Sequence, residues 1–198
     1  MYLGPPIDDP ELLDRLTAEY RALLARANGY VAYHGGLHVR GACLTPEWHS
    51  LRDAWEGERA LHRYFPVLSP TDIPFAQDAL GDQYLLRQGA VHRLSGETGE
   101  FESLGLDLAD FDSAVRADPV GYLRLEPLEA FRAEGGVLEP GQLLSVYPPY
   151  CVRTKDPRRS FRAIPAAERL EFLAALAAQL RDVADGTEVT FEIGNPAS

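Results

Sequence analysis

The sequence has few cysteines, no long apolar run and a deficit of positive charge, and each shortage argues against a class of protein. Cys43 and Cys151 occur without any CxxC pair or Cys/His cluster, which argues against a structural zinc motif and indicates a reducing cytoplasm. No apolar run approaches the roughly 20 residues that cross a bilayer, so no membrane span is expected. The first residues include neither a positively charged nor an apolar region, so no signal peptide is expected.

Motifs for common catalytic and cofactor chemistry are also missing. The sequence has no GxxxxGK[ST], GxGxxG, HExxH or EF-hand pattern. His34 and His38 flank two glycines that favour a hairpin over a helix, so no metal site is expected there. His49 and Asp53 have the i,i+4 spacing of a helical surface pair, and no strained turn presents a nucleophile beside them. We therefore predict no enzyme activity, no catalytic residue, no metal and no cofactor.

Charge is unevenly distributed along the chain. The net charge of −11 argues against direct nucleic-acid binding. Residues 96–139 carry eleven acidic residues against three arginines, whereas residues 152–169 carry six basic residues against two acidic ones. The acidic segment is either an ordinary solvated face or a surface matched to a basic partner. The basic segment, with its arginines around Phe161, is an intramolecular partner for that face, a surface loop or a site for single-stranded nucleic acid, and the net charge favours the first two.

Hydrophobic periodicity predicts a succession of short elements. A helix is expected from Asp9 to Ala27, with Asn28-Gly29 as its C-cap, followed by a hairpin with a two-residue turn at Gly35-Gly36. The further predicted elements are a helix over 47–65, a strand over 73–77, three strands over 82–105, helices over 106–117, 125–136 and 165–186, and a closing strand over 187–193.

The order of these elements contains no repeated βαβ unit and therefore predicts an α+β fold with a mainly antiparallel sheet. We expect a single domain over residues 1–198, with a core over about 9–123. Residues 124–198 have a different, proline-punctuated texture and are expected to form a helical and extended extension packed on that core.

The stretch IPFAQDALGDQYLL, residues 73–86, could be an acidic ligand loop or a turn between two strands. The turn is favoured because Pro74 sets an extended entry and Gly81 tolerates a positive φ. Asp82 is expected to hydrogen-bond its own backbone, and Tyr84 and Leu86 to alternate onto one face of a strand.

Several of these segments occur together in a known family. LLARANGY…GGLHVRGA and IPFAQDALGDQYLL…GAVHRL resemble the SUKH superfamily, which contains Smi/Knr-like yeast cell-wall regulators and many bacterial proteins. The similarity covers about residues 9–123, and the chain from Leu125 onward departs from the minimal pattern. It implies a twisted, mainly antiparallel sheet flanked by helices. The residues that carry it as a structural signature are Asn28, Gly29, Pro74, Phe75, Gly81, Asp82 and Tyr84.

The resemblance also implies a function without catalysis, because bacterial members are commonly cytoplasmic immunity proteins that neutralise a cognate toxin. A basic, nucleic-acid-targeting toxin is the expected partner. The segment 147–150 either crosses the core or presents its tyrosines to that partner. The residues predicted to bind it are Glu97, Glu100, Glu102, Asp107, Asp110, Asp112, Tyr147 and Tyr150. The alternatives are a regulatory or scaffolding protein, and a small-molecule binder or enzyme with a pocket near Tyr84, His92 and residues 147–150.

Overall fold

The computed structural model describes residues 1–184 and 186–187. Among these residues, seven strands form one sheet in which every neighbouring pair is antiparallel and the spatial order is the chain order. This sheet, flanked by helices, confirms the α+β prediction. The strands are β1 (Tyr2–Leu3), β2 (Tyr30–Ala32), β3 (Leu37–Val39), β4 (Ile73–Asp78), β5 (Gln83–Arg87), β6 (Ala90–Leu94) and β7 (Phe101–Leu106).

Strands β2 and β3 are joined by a longer connection than the predicted two-residue turn. Ala32 pairs with Leu37, so four residues lie between the paired positions. Tyr33 and His34 both have positive φ, at 51° and 58°, inside a 3₁₀ turn over Tyr33–Gly35. The prediction of a two-residue turn at Gly35-Gly36 is wrong, because the connection has four residues and starts with the 3₁₀ turn at Tyr33.

Helices surround the sheet and are mostly short. The described helices are α1 (Pro10–Asp14), α2 (Ala18–Arg26), α3 (Leu51–Trp55), α4 (Leu61–Tyr64), α5 (Leu108–Ala117), α6 (Pro119–Leu123), α7 (Glu126–Ala133) and α8 (Ala166–Leu180).

Two predicted helices are broken in the structure. The helix expected from Asp9 to Ala27 is divided into α1 and α2, because the hydroxyl of Thr17 accepts the Tyr20 N–H at 3.3 Å and caps a second helix. The helix expected over 47–65 becomes a 3₁₀ turn over Glu47–His49 followed by α3 and α4, and Ser50 caps α3. Hydrophobic periodicity correctly predicted helical structure in both segments, but the capping residues Thr17 and Ser50 determine where α2 and α3 begin.

The extension forms a hairpin and a helix. Strands β8 (Gln142–Tyr147) and β9 (Ser160–Pro165) pair antiparallel over six residues, and α8 follows β9 directly. The segment that we expected to be merely extended is thus a second, two-stranded sheet. The predicted closing strand over 187–193 lies outside the described residues, apart from Thr187.

The main sheet carries a hydrophobic core on each face. On one face, Tyr20 and Leu24 of α2 and Phe111 of α5 pack against strand residues such as Phe75 and Tyr84. On the other face, a smaller cluster joins α4, the sheet and α8; it contains Leu61, Phe65, Leu68, Leu85, Leu94, Ala174 and Ala177. The extension therefore covers part of the second face of the sheet.

Candidate partner-binding cleft

The loop between β4 and β5 is held by the carboxylate of Asp78. Its Oδ1 accepts the backbone N–H groups of Leu80, Gly81 and Asp82 at 2.9, 3.0 and 3.0 Å. Gly81 has a φ of +100°, a conformation that strains other residues. The stretch is a turn, as predicted, but the carboxylate that binds the local backbone is that of Asp78 and not that of Asp82.

Asp82 bridges this loop to the next hairpin. Its Oδ1 accepts the N–H of Gly96 at 2.9 Å. Burial raises the pKa of Asp78 and of Asp82, and the charge of Asp82 raises the pKa of Asp78 further. The two neighbouring carboxyl groups therefore form an electrostatically costly site at the base of the hairpin.

A cleft of about 880 Å³ opens beside these carboxyl groups. Its walls are the β6–β7 hairpin, the residues 124–127 at the start of the extension, and the residues 150–151 that follow β8. The cleft is therefore formed jointly by the main sheet and the extension.

Carboxylates outnumber cations in this cleft. The two cations are Arg93, which forms an ion pair with Glu102, and Arg124. The acidic residues that line it are Asp82, Glu97, Glu100, Glu102 and Glu126. The excess of negative charge favours a positively charged ligand.

The extension is tied to the cleft through Glu97. The Oε2 of Glu97 accepts the N–H of Cys151, an exposed free thiol, at 2.8 Å. Next to it, Tyr150 is 44% exposed, and the guanidinium of Arg159 lies 4.5 Å from the centre of its ring. The cleft therefore presents an exposed tyrosine beside its carboxylates, and Phe101 is a second aromatic residue in its lining.

Arg169 lies behind the cleft and is completely buried. Its Nε–H donates to the Leu80 carbonyl at 3.3 Å, and its Nη2 is 3.8 Å from Oε1 of Glu97. Neither terminal nitrogen has a hydrogen-bond partner among the described residues. Burial lowers the pKa of Arg169, while Glu97, Asp78 and Asp82 act in the opposite direction. One residue of the basic segment is thus an intramolecular partner of the acidic segment.

Half of the predicted partner-binding residues line this cleft, namely Glu97, Glu100, Glu102 and Tyr150. The other four lie elsewhere. Asp107 caps α5 by accepting the N–H of Asp110 at 2.8 Å, and Asp112 pairs with Arg116 one turn later. Tyr147 ends β8 and is 55% exposed without lining the cleft. Charge alone therefore does not distinguish an acidic residue that caps a helix from one that lines the cleft.

The pocket suggested near Tyr84, His92 and residues 147–150 is not formed. Tyr84 pairs with Arg93 and His92 pairs with Leu85, so the two side chains leave opposite faces of the sheet. Tyr84 packs on Phe111, with ring centres 4.9 Å apart. The signature tyrosine is therefore a core residue.

A buried polar chain on the second face of the sheet was not predicted. The Nε2–H of His49 donates to the Asn28 carbonyl at 2.9 Å, so its Nδ1 accepts from Nε2 of His38, also at 2.9 Å. Gln77 then donates to Nδ1 of His38 at 3.2 Å and accepts from Arg40 at 2.7 Å. The two bonds that end on a ring Nδ1 require neutral imidazoles, and burial lowers the pKa of both histidines in the same direction.

This chain corrects two earlier interpretations. The expected surface pair of His49 with Asp53 is wrong, since His49 is fully buried and Asp53 pairs with Arg59 at 3.3 Å. The C-cap expected at Asn28-Gly29 is also wrong, since α2 ends at Arg26 and Ala27 is already extended.

Asn28 and Gly29 instead enclose the histidine. The amide of Asn28 bonds to both backbone groups of Ala42, and Gly29 has a φ of +74°. A Cβ on Gly29 would lie 2.7 Å from Cε1 of His49. This part of the signature therefore holds a buried imidazole.

Pro74 lies in β4 where the pairing with β5 shifts register, a position that tolerates a missing N–H. Its carbonyl accepts from Arg40 at 2.8 Å. Phe75 packs edge-on against Tyr20 and Phe111. Both signature residues thus serve the sheet and not the cleft.

Within the described part of the chain, no group of three or more His, Cys, Asp or Glu residues is placed to hold a metal ion. No described helix is long and apolar enough to span a membrane. Comparison with protein-family models, with curated proteins and with solved structures found no match for this chain.

Proposed function

We propose that this chain is a non-catalytic, cytoplasmic protein-binding module, an immunity protein that neutralises a toxin with a basic surface. The observation that carries the proposal is the acidic cleft in which Glu97, Glu100 and Glu102 meet Tyr150. The resemblance to the SUKH superfamily supplies the toxin as the class of partner.

The charge of the cleft supports a basic partner. Five carboxylates face two arginines, and one of these, Arg93, is already engaged by Glu102. Such a field accelerates association with a cationic surface and raises specificity more than affinity. Binding should weaken with salt, because exposed charges are screened beyond about 8 Å at physiological ionic strength.

The aromatic lining supports a stable complex. Tyr150 presents almost half of its surface at the cleft wall, and Leu80, Phe101 and Pro127 add apolar area. Interfaces commonly depend on a few aromatic or arginine anchors surrounded by polar contacts. In this proposal Tyr150 is the anchor and the carboxylates orient the partner.

The test uses two charge reversals of equal size. Glu100 lines the cleft and Asp110 lies on α5, and both are exposed members of the acidic segment. We expect Glu100→Lys to weaken binding to the toxin domain encoded next to this gene by at least about tenfold at low salt. Asp110→Lys should weaken it by less than about threefold.

Two outcomes contradict the proposal. Equal losses for both variants would mean that the overall field and not the cleft attracts the partner. Failure of the wild-type protein to bind or inhibit the neighbouring toxin would remove the immunity function. A basic partner of another kind, captured through the same cleft, would favour the regulatory alternative.

A further inference from the structure

A second cleft, of about 420 Å³, lies between the sheet and the beginning of α8. This volume is in the range of small-ligand sites. Arg40 and Gln77 supply its sheet side, Trp48 and Ser50 one wall, and Gly141 and Ala166 the extension side. It is separate from the acidic cleft, and none of these residues lines both.

Arg40 brings a positive charge into this second cleft and forms no ion pair with a described residue, although the carboxylate of Asp53 acts on it from beyond ion-pairing distance. The residue is 2% exposed, and its guanidinium donates only to neutral oxygens, those of Pro74, Ala76, Gln77 and Gln83. No described carboxylate lies within ion-pairing distance of it, and the described residues offer no hydrogen-bond partner to its Nε–H. Buried charges are ordinarily paired, so an unpaired one is a specific anomaly. The pKa of Arg40 is lowered by burial to about 10, which still leaves it charged at neutral pH.

The N-terminus of α8 faces the same space. This helix is fifteen residues long, and its N-cap, Pro165, offers no side-chain acceptor. The Ala166 N–H donates to the Gly141 carbonyl at 2.8 Å, while the N–H groups of the next residues have no side-chain cap among the described residues. Free N–H groups and the helix dipole attract anions at this end.

Three acidic residues lie at the rim of this cleft, and Arg59 offsets two of them. Glu47 and Asp53 also border the cleft, but Arg59 binds both of them, at 2.7 and 3.3 Å. Glu171 is exposed to solvent at the outer edge. The inner end of the cleft therefore keeps the charge of Arg40 and the helix N-terminus.

We propose that this second cleft binds a small molecule bearing a carboxylate or a phosphate. The anionic group would lie between the Nε–H of Arg40 and the first N–H groups of α8, and the apolar remainder would contact Trp48 and Leu170. Such a ligand joins the sheet to the extension, so its binding stabilises the position of α8. The inference does not depend on the identity of the protein partner.

The first test measures binding to the purified full chain at constant ionic strength. Sodium benzoate and sodium phosphate are titrated calorimetrically and in thermal unfolding, with sodium chloride as the control. We expect saturable binding with a Kd between about 10 µM and 10 mM for one of the two anions and a matching rise in Tm. Tighter binding of benzoate assigns a carboxylate ligand, and tighter binding of phosphate assigns a phosphate ligand. Absence of saturation by both anions overturns the proposal.

The second test places a carboxylate at the site without disturbing Arg40. Ala167 lines the cleft in the first turn of α8, whereas Ala175 is exposed farther along the same helix. Ala167→Glu should weaken anion binding at least about tenfold, and Ala175→Glu should leave it unchanged. Ala167→Gln, which is equally large but neutral, should bind at least about fivefold more tightly than Ala167→Glu. Equal affinities of the two glutamate variants, or of the two Ala167 variants, contradict an electrostatic site.

Discussion

Two arginines are almost completely buried in this protein, Arg40 in the sheet and Arg169 in the extension, and their surroundings are opposite. Arg40 has four hydrogen-bond acceptors and no carboxylate within ion-pairing distance in the described structure. Within the described residues Arg169 has a single hydrogen bond, to Leu80, but a carboxylate of Glu97 lies at 3.8 Å and two further buried carboxyl groups act on it. Arg40 is thus stabilised mainly by hydrogen bonds, and Arg169 mainly by nearby negative charge.

The comparison shows what each arginine does. Arg40 organises strands β3, β4 and β5, because its bonds reach oxygens on two of the neighbouring strands. Arg169 offsets the negative charge at the β4–β5 loop and thereby holds α8 against that loop. We therefore expect the loss of Arg40 to act through unsatisfied acceptors and the loss of Arg169 to act through pH-dependent charge.

The largest effect is expected from Arg40→Met. The substitution leaves carbonyl and amide oxygens of the sheet buried without donors, which costs about 3–5 kcal/mol in free energy of unfolding. Urea unfolding measures this loss. Arg116→Met serves as the control, since Arg116 is exposed and should contribute less than about 1 kcal/mol. A loss as small as that of the control would mean that the polar sheet face is dispensable.

Gly81→Ala tests the packing between α8 and the loop that Arg169 supports. A Cβ at Gly81 would lie 2.6 Å from Cδ1 of Leu173 and would also adopt a strained φ. Gly89 has a φ of +84° with nothing within 4 Å, so Gly89→Ala measures the strain alone. We expect a loss of about 1 kcal/mol for Gly89→Ala and about 2–3 kcal/mol for Gly81→Ala in chemical unfolding. Equal losses would mean that α8 does not press on the loop.

Arg169→Met should cost about 1–2 kcal/mol at pH 7 and less at lower pH. Burial raises the pKa of Asp78 and Asp82, so their folded forms take up protons above the pH at which the unfolded chain does. Without the cation these carboxylates are more costly when ionised, and protonation removes that cost. Unfolding at pH 7 and pH 4.5 should therefore show a smaller difference from wild type at the lower pH. A difference that grows on acidification contradicts this account.

The smallest expected effect concerns the histidines that adjoin Arg40 through Gln77. Burial lowers the pKa of His38 and His49 below that of the unfolded chain, so the unfolded state binds more protons as the pH falls below about 6.5. These histidines alone should lower stability on acidification by about 1 kcal/mol each between pH 7 and pH 5.5. Asp78 and Asp82 contribute with the opposite sign, because their raised pKa values favour protonation of the folded form.

Stability curves over this range measure the net change, and His34→Gln is a control because His34 is exposed. Removal of one imidazole in His49→Gln should reduce the acid-induced loss relative to wild type, and an unchanged pH dependence in that variant would contradict this account.

Prediction from the sequence succeeded where local pattern and global packing agree. The alternation in residues 82–105 correctly indicated the β5, β6 and β7 strands, and the turn at Gly81 follows from a residue that accepts positive φ. The burial of His38 and Arg40 was not predicted. These polar residues alternate with Leu37 and Val39, which is the pattern of a strand with one solvated face.

Only half of the residues predicted to bind the partner line the cleft, because acidic composition is a local criterion and the cleft is not a local structure. Acidic composition marked Glu97, Glu100 and Glu102, which belong to one hairpin and therefore stay together. The same criterion also selected Asp107, which is a helix cap. Asp82 and Glu126 were not selected as partner contacts, because they join the cleft only when the extension meets the loop after β4.

Local patterns along the chain are enough to establish the α+β class, the antiparallel order of the central strands and the acidic character of the segment after Gly96. Each of these depends on neighbours in the chain, through side-chain alternation, turn residues and net charge. Which polar residues are buried, and which acidic residues share a cleft, follows from long-range packing and not from these local patterns. Those outcomes depend on where α8 and the residues around Tyr150 pack, and such contacts join residues that are distant in the chain.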